Sequence, residues 1–214
     1  MSARENTLAR IRAALGKSAD RAQREEIRAY IRQHAAGPRP EAEWNVVMRF
    51  RERALNSASS VDQVTSISEV PGAIARYLRE QHLPLQAVCW PEFARLDWHG
   101  QEMTVEVRPA NGSDLVGITG AFCAIAETGT LMTLSGKDTP PATSLLPETH
   151  IAVVGVTRIV KGMEEAWALL RNECPMMPRA VNFISGPSRT ADIEQTIVLG
   201  AHGPYRVHIV IIQR

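Results

Sequence analysis

The stretch "ETGT", Glu127 to Thr130, places a carboxylate and two hydroxyls between the apolar segments "FCAIA" and "LMTL". Two such segments joined by four polar residues predict a β-hairpin, with Gly129 at a turn position of positive φ and the threonines bonded to the backbone. Loops at strand ends also hold ligands in parallel-sheet domains, and a partly desolvated carboxylate there gains a raised pKa and can act as base or nucleophile. Spacing alone favours the plain turn and leaves the reactive acid as the alternative.

A second polar stretch, "SGPSRTADIE", follows a predicted strand. Ser188 or Thr190 can cap a short helix after it, and Arg189 would help the N-terminus of that helix to bind an anion. Asp192 and Glu194 would already satisfy the helix dipole and would repel a phosphate. The stretch therefore predicts a capped turn rather than a phosphate cradle, and it does not match the G-x-S-x-G nucleophile motif.

The third stretch, "GAHGPYRVHIV", carries two histidines. His202 lies in a turn bounded by Gly and Pro, where it can be a general base, a ligand contact or a turn residue. His208 lies within the following strand and is predicted to be structural. His150, His202, Glu127 and Asp192 could in principle gather around a metal, but no two of them share a common ligand spacing, so no metal site is predicted.

The composition excludes several classes of function. A net charge of +1 over 214 residues gives no sign of a nucleic-acid or anionic-membrane surface, and no apolar run is long enough to span a bilayer. The three cysteines are widely spaced without a C-x-x-C pair, so neither a disulfide framework nor a cluster site is predicted. The sequence has no P-loop, and "GITGAF" lacks a glycine of the dinucleotide fingerprint, which disfavours a nicotinamide-dependent dehydrogenase.

Strands and helices that alternate after Ser59 predict the frame that positions these stretches. Such alternation is typical of a mainly parallel sheet covered on both faces. The predicted strands are "VDQVTSI", "LQAVCW", "MTVEVR", "HIAVVGVTRIV", "RAVNFISGPS" and "YRVHIVIIQ", and the predicted helices are "SEVPGAIARYLREQ" and "MEEAWALLRN".

Residues 1–57 are predicted to form a separate helical region, followed by the α/β domain over residues 58–214. Leu8, Ile11 and Leu15 follow helical spacing, and further helices are expected over 21–34 and around 44–55. The many arginines predict solvated helical faces here. The basic N-terminus has no hydrophobic signal core, so a cytoplasmic location is expected.

Taken together, three segments resemble the lactate-utilisation protein C family, also called the LUD-domain family. The segments are "GITGAFCAIAETGTLMTL", "LLPETHIAVVGVTRIV" and "NFISGPSRTADIEQTIVLGAHGPYRVHIVII", and they occur in the family's order over 117–212, about half of the chain. The matching polar residues are Glu127, Thr128, Gly129 and Thr130 in E-T-G-T, Ser188, Thr190, Asp192 and Glu194 in the second motif, and His202, Gly203 and Pro204 in the third.

This resemblance implies a fold and a function. The fold would be an open three-layer α/β/α sheet similar to ribose-5-phosphate isomerases, CoA-transferases and formyltetrahydrofolate cyclo-ligases. The family belongs to a bacterial system that oxidises L-lactate to pyruvate, in which two other components carry iron–sulfur clusters. The chain would be the small component, without a cofactor of its own. By analogy with CoA-transferases, Glu127 would be a nucleophile on a loop at a strand end, although fold alone does not fix function.

The sequence therefore generates one hypothesis about the site. Glu127, Thr190, Asp192 and His202 converge at the carboxyl edge of the sheet, where they bind a small organic acid or form a contact surface for an iron–sulfur partner. The predicted catalytic residues are Glu127, His202 and Asp192, and the predicted ligand-binding residues are Thr128, Gly129, Thr130, Ser188, Arg189, Thr190, Glu194 and Gly203.

Two other functions stay open at this point. The chain could be a stand-alone enzyme in which Glu127 acts on an acyl-CoA or a sugar-phosphate-like substrate. It could instead be a non-catalytic interaction or regulatory subunit. The sequence does not determine the oligomeric state.

Overall fold

The computed structural model describes residues 2–16, 21–33, 37–38, 43–191 and 198–213, which belong to two compact units, Met1–Glu41 and Ala42–Arg214. The first unit contains helices α1 (Ala3–Leu15) and α2 (Arg21–Gln33). Ser2 caps α1 in a box with Glu5, and Gly16 ends it in the left-handed conformation. Among the described residues, no helix is both long enough and apolar enough to cross a membrane.

The described part of the second unit combines helices with three sheets. Its helices are α3 (Val46–Asn56), α4 (Val70–Glu80), α5 (Ala142–Leu145) and α6 (Met163–Glu173). Its strands are β1 (Ser60–Val64), β2 (Gln86–Cys89), β3 (Thr104–Val107), β4 (Val116–Gly120), β5 (Cys123–Ile125), β6 (Thr130–Leu134), β7 (Thr149–Gly155), β8 (Ile159–Val160), β9 (Val181–Ile184), β10 (Arg189–Thr190), β11 (Val198–Leu199) and β12 (Arg206–Ile212).

The central sheet has six strands in the order β1-β12-β7-β4-β2-β3, and every neighbouring pair is parallel. Its long strands β7 and β12 are apolar and rich in β-branched residues because both of their faces are covered. The predicted open, mainly parallel α/β sheet is confirmed. Strand β4 was not predicted, because its "VGITG" contains two glycines, which weaken a strand signal.

Two apolar layers enclose the central sheet. On one face, Ile74 and Leu78 of α4 pack with Ile118 of β4 and Ile151 of β7. Each such side chain, fully buried, stabilises the fold by about 1.5–3 kcal/mol. The other face is covered by α3 together with a second sheet, and both contribute to one core with the strands beneath them.

The second sheet contains the predicted hairpin. Its order is β8-β5-β6-β9, in which β5 and β6 are antiparallel neighbours, as the apolar segments around E-T-G-T predicted. The two strands of the hairpin do not belong to the central sheet. Ala124 and Leu131 instead pack against Ala152 and Ile209 of the central sheet, and this packing explains why both segments are apolar.

Helix α3 is part of the second unit rather than a solvated face. Its Phe50 and Ala54 are completely buried in the core beneath the second sheet, so the expectation of a solvated helix is wrong for this segment. By contacts, the chain divides between Glu41 and Ala42. The division into a helical region over 1–57 and an α/β domain over 58–214 stays a prediction.

Two histidines lie buried inside the central sheet. His150 Nε2 is 2.7 Å from Thr119 Oγ1, and its Nδ1 has no hydrogen-bond partner in the described part of the chain. His208 Nδ1 is 2.8 Å from Ser60 Oγ, and its ring stacks on Tyr77 at 3.9 Å between centroids. Burial lowers the pKa of each imidazole to about 4. For His208, the charge of Asp62 raises the pKa and that of Arg76 lowers it, and both effects are smaller than that of burial.

We expect stability to fall as the pH drops from about 6.5 towards 4. An unfolded histidine takes up a proton near pH 6.5, whereas the folded His150 and His208 resist protonation until about pH 4, so acid favours the unfolded chain. Urea unfolding at pH 7.5 and pH 5 should show a loss of roughly 2 kcal/mol for each histidine. A His99→Gln variant, changed at an exposed histidine, should show the same loss. Equal stability at both pH values would contradict this assignment.

Candidate functional site

The E-T-G-T turn is held by backbone bonds and by a close approach to α3. Glu127 N–H donates to the Lys161 carbonyl at 3.0 Å, and Gly129 N–H donates to the Ile125 carbonyl at 2.9 Å. Gly129 has φ +70°, and a Cβ on it would overlap with the backbone of Arg53 and Ala54. Glycine is therefore required here for two reasons, the left-handed conformation and the lack of space.

The Glu127 side chain is exposed and points towards the first turn of α6. A Cβ on Gly162, the residue that caps α6, would lie 3.2 Å from Glu127 Oε2 and 3.1 and 3.5 Å from carboxylate oxygens of Glu165 and Glu164. Glu165 also accepts a bond from Gly162 N–H at 2.9 Å. The N-terminus of a helix stabilises nearby carboxylates because the helix dipole is positive at that end. This interaction explains structurally why a glutamate occurs between two apolar strands.

The hydroxyls of E-T-G-T connect this turn to the second motif. Thr128 Oγ1 donates to Thr130 Oγ1 at 2.7 Å, and Thr130 Oγ1 lies 2.5 Å from Ser185 Oγ. Antiparallel pairing of β6 with β9 brings these residues together, because Leu131 pairs with Ile184. The first two motifs thus form one hydrogen-bonded unit.

The second motif also touches the end of α3. Gly186 has φ +77°, and a Cβ on it would overlap with the carbonyl oxygen of Ser57. Arg189 is exposed, and its Nη2 donates to the same Ser57 carbonyl at 3.3 Å. This bond places a positive charge at the negative end of α3, so Arg189 has a structural role besides the predicted ligand role.

The third motif joins the second at Ser188. Ser188 N–H donates to the Pro204 carbonyl at 2.9 Å, and His202 N–H donates to Ser188 Oγ at 3.4 Å. The Gly200 N–H donates to the Ser188 carbonyl at 2.9 Å. The structure therefore links all three motifs in a row, from E-T-G-T through S-G-P-S to H-G-P. The His202 side chain itself is exposed.

Two features of the predicted site need correction. Arg189 and Thr190 do not begin a helix but form strand β10, which pairs with β11. The Ser188 hydroxyl therefore does not cap a helix that begins at Arg189. It accepts a hydrogen bond from the His202 N–H in the H-G-P turn. His202 precedes Arg206, the first residue of β12, which pairs with Thr149, the first residue of β7. His202 thus lies at the amino edge of the central sheet, and convergence at its carboxyl edge is wrong for this residue. Asp192 and Glu194 lie outside the described residues.

Among the described residues, the histidines and thiols do not form a metal site. No group of three His, Cys, Asp or Glu side chains that could hold a metal ion occurs in the described part of the chain. His150 is completely buried, whereas His202 is exposed. Cys89 and Cys123 are buried, and burial raises the pKa of each thiol to about 11, so both stay protonated near neutral pH.

One arginine beside the third motif, Arg206, is not among the predicted site residues. A cavity of about 370 Å³ opens at the amino edge of the sheet, and its lining residues are Leu146, Glu148, Leu199, Gly200, Gly203, Tyr205 and Arg206. The signal was present in "YRVHIVII", where one arginine begins an otherwise apolar strand. Arg206 lies inside the predicted strand "YRVHIVIIQ", where the pattern of residues alone assigns it no role.

We expect Gly186→Ala to destabilise the protein by at least about 2 kcal/mol, because the new methyl group meets the Ser57 carbonyl and positive φ is strained. Gly112→Ala is the matched control, since nothing lies within 4 Å of a Cβ there, and it should change stability by less than about 0.5 kcal/mol. Urea unfolding of the two variants measures the difference. Similar midpoints would show that the second motif does not depend on contact with α3.

Comparison with known proteins identifies the family. The LUD domain model matches residues 25–212. Lactate utilization protein C of Bacillus subtilis (strain 168) is 33% identical over 162 residues, which cover 71% of this chain and 66% of that protein. Lactate utilization protein C of Geobacillus sp. (strain WCH70) is 37% identical over 100 residues, covering 45% and 42%.

A solved structure agrees with the family match. A DUF162 family protein from Deinococcus radiodurans superposes with a TM-score of 0.61 and 25% identity, over 81% of this chain and 99% of that one. The alignments with the curated relatives span about two thirds or less of the relatives' lengths. With most of its length matched by the family model, the chain belongs to the LUD domain family.

Proposed function

We propose that this protein is a component of a bacterial L-lactate utilisation system and takes part, with iron–sulfur partner proteins, in the oxidation of L-lactate to pyruvate. The names of the curated relatives support a role in lactate utilisation. The observation that carries the proposal is the row of hydrogen bonds that joins the three motifs, because the buried Thr130 bonds to Ser185 and Ser188 bonds to His202, so three separate loops are held together.

The proposal assigns the electrons to the partners. Oxidation of L-lactate to pyruvate removes two electrons and two protons, so an acceptor must lie close to the acid. We place this acceptor in the iron–sulfur clusters of the partner proteins. Cys89 and Cys123 lie in different apolar clusters of the core, which agrees with this division, since an iron–sulfur cluster needs several cysteines close together. Under this proposal the complex works in the cytoplasm.

We assign the contact with the partner to the three-loop surface, defined as the exposed and half-buried residues 127–128, 185–188 and 202–203. Glu127 and His202 are exposed on it, and hydrogen bonds fix the loops that carry them. Polar side chains on rigid loops suit a specific, reversible contact with another protein. Charged residues at the rim of such an interface set the relative orientation of the two proteins and the rate at which they associate.

The surroundings of Glu127 disfavour the alternative of a stand-alone enzyme acting on an acyl-CoA or a sugar phosphate. Its carboxylate shares the start of α6 with those of Glu164 and Glu165. Three carboxylates close together repel the phosphates that such substrates carry. A neutral partner surface or a basic one suits this corner of the molecule better.

The function is tested in the organism that carries the gene. A deletion strain should fail to grow on L-lactate as sole carbon source and should grow normally on pyruvate, and the wild-type gene should restore growth. The tagged protein should co-purify with brown iron–sulfur proteins that contain iron and acid-labile sulfide. Normal growth of the deletion strain on L-lactate would exclude the proposed role.

We expect Glu127→Gln to weaken the co-purification of the iron–sulfur proteins without unfolding the chain. The side chain is exposed, so the melting temperature should change by less than about 2 °C. Glu80→Gln, changed at an exposed glutamate at the end of α4, is the matched control and should keep full co-purification. Equal recovery of partners by both variants would remove Glu127 from the contact. A large loss of stability in Glu127→Gln would assign it to the turn alone.

A further inference from the structure

The second sheet has an open edge along β9. Among the described strands, β9 has one neighbour, β6, because the order of the sheet is β8-β5-β6-β9. The N–H of Ser135 donates to the Ala180 carbonyl at 3.0 Å, so in this antiparallel ladder every second residue of β9 counted from Ala180 bonds to β6. The N–H and C=O groups of Val181 and Phe183 therefore point outwards, where they can pair with another strand.

This edge lacks the features with which proteins usually protect an open strand. The segment 180–186, "AVNFISG", contains no charged residue and no proline. Phe183 is 38% exposed, and Met176 and Met177, in the loop that leads into β9, are 85% and 61% exposed. An uncharged edge with exposed apolar side chains beside it favours pairing with another strand.

Helix α6 covers one face of this edge, and the first turn of the helix is acidic. Trp167 of α6 packs against Phe183 with 5.6 Å between the ring centroids. The carboxylates beside Gly162 at the start of the helix are those of Glu127, Glu164 and Glu165, which we call the acidic corner. They outnumber the ammonium group of Lys161. The hydrogen bond between the E-T-G-T turn and Ser185 places the acidic corner beside the end of β9.

The opposite end of α6, beside the start of β9, is basic. Arg171 lies in the last turn of α6, and Arg179 lies two residues before β9. Both side chains are exposed, and no ion pair joins either of them to another residue in the described part of the chain. The carboxylate at this end, Glu173, is already bound by Arg158 at 2.7 and 3.0 Å. The face covered by α6 is thus negative at one end and positive at the other.

We propose that two copies of this chain pair through their β9 strands, antiparallel about a two-fold axis at Phe183, and join their four-stranded sheets into one continuous sheet. A two-fold axis across paired edges requires the antiparallel arrangement. It aligns Val181 of one copy with Ser185 of the other and places the two Phe183 rings side by side on the faces that α6 covers.

The charges favour a second copy over an unrelated strand as the occupant of this edge. Antiparallel pairing turns the basic end of each copy towards the acidic corner of the other, so Arg171 and Arg179 meet carboxylates twice in one symmetric contact. The uncharged strands between these ends meet without repulsion of like charges.

The pairing also changes the three-loop surface. Ser185 belongs to that surface and lies opposite Val181 of the second copy. Arg179 of the second copy then lies beside the surface and adds a positive charge next to Glu127. The two three-loop surfaces of the dimer lie at opposite ends of the paired strands, and each is bordered by residues of both copies. The pairing follows from β9 and α6 alone and is independent of the proposed role in lactate utilisation.

The test is sedimentation velocity of the full chain from low to high micromolar concentration. We expect a dimer that weakens at high salt, because salt screens the charges at both ends of the contact. Phe183→Lys should be monomeric, since two lysines would meet on the axis. Arg179→Glu should weaken the dimer at least about tenfold. Arg95→Glu, changed at an exposed arginine after β2, is the matched control and should form the dimer as the wild type does.

A disulfide tests the register directly. Residues opposite each other in a bonded antiparallel pair have Cα atoms about 5.5 Å apart, a distance that a disulfide can span. In a Cys174→Ser background, Phe183→Cys should therefore form a cross-linked dimer on mild oxidation. Thr104→Cys, changed at an exposed position of the outer strand β3 of the central sheet, is the control and should stay mostly uncross-linked.

Circular dichroism should show Phe183→Lys folded; if it is not folded, Arg179→Glu and the cross-linking decide. A wild-type chain that stays monomeric, a dimer that Arg179→Glu leaves unchanged, or cross-linking of Phe183→Cys no greater than that of Thr104→Cys would overturn the inference. Pairing of this edge with a different protein in place of a second copy would overturn it as well. Growth on L-lactate and co-purification of the iron–sulfur proteins judge the proposed function independently of these measurements.

Discussion

The arrangement of the motifs depends on the close approach of two glycines to α3. Gly129 and Gly186 each lie where a side chain would overlap with the helix backbone, at Ala54 and Ser57 respectively. These contacts fix the turns that carry the first two motifs, and the bond between Thr130 and Ser185 ties the turns to each other. The third motif follows because Ser188 accepts from the His202 amide. Helix α3, which contributes no polar motif residue, is thus the support on which the loops rest.

The strands and the hairpin could be predicted because their signals are local. Runs of β-branched residues mark β7 and β12, and E-T-G-T between two apolar segments marks the β5–β6 turn. The resemblance of three segments to one family likewise needed only the order of residues along the chain. Each of these signals is contained in a single segment of about ten to thirty residues, so it can be read without knowing which distant residues are in contact.

The features that sequence missed depend on residues far apart in the chain. The amino-edge position of His202 follows from the register between β12 and β7, and β10 exists because a second strand pairs with it. The shielding of Arg206 Nη1 from solvent likewise appears only in the packed structure. The short strand β4 was hidden by its two glycines, and its place between β7 and β2 was decided by tertiary packing rather than by propensity.

The position of β12 has a consequence for how the protein folds. Strand β1 lies at one edge of the central sheet and pairs with β12, so Ser60 meets His208 across almost 150 residues of intervening chain. Until β12 has been synthesised, β1 has no neighbour in the sheet and β7 presents an open edge. Such long-range closure slows folding and leaves apolar edges exposed to other chains in the meantime. The turn that carries His202 leads directly into β12, so its place beside Ser188 depends on this long-range pairing.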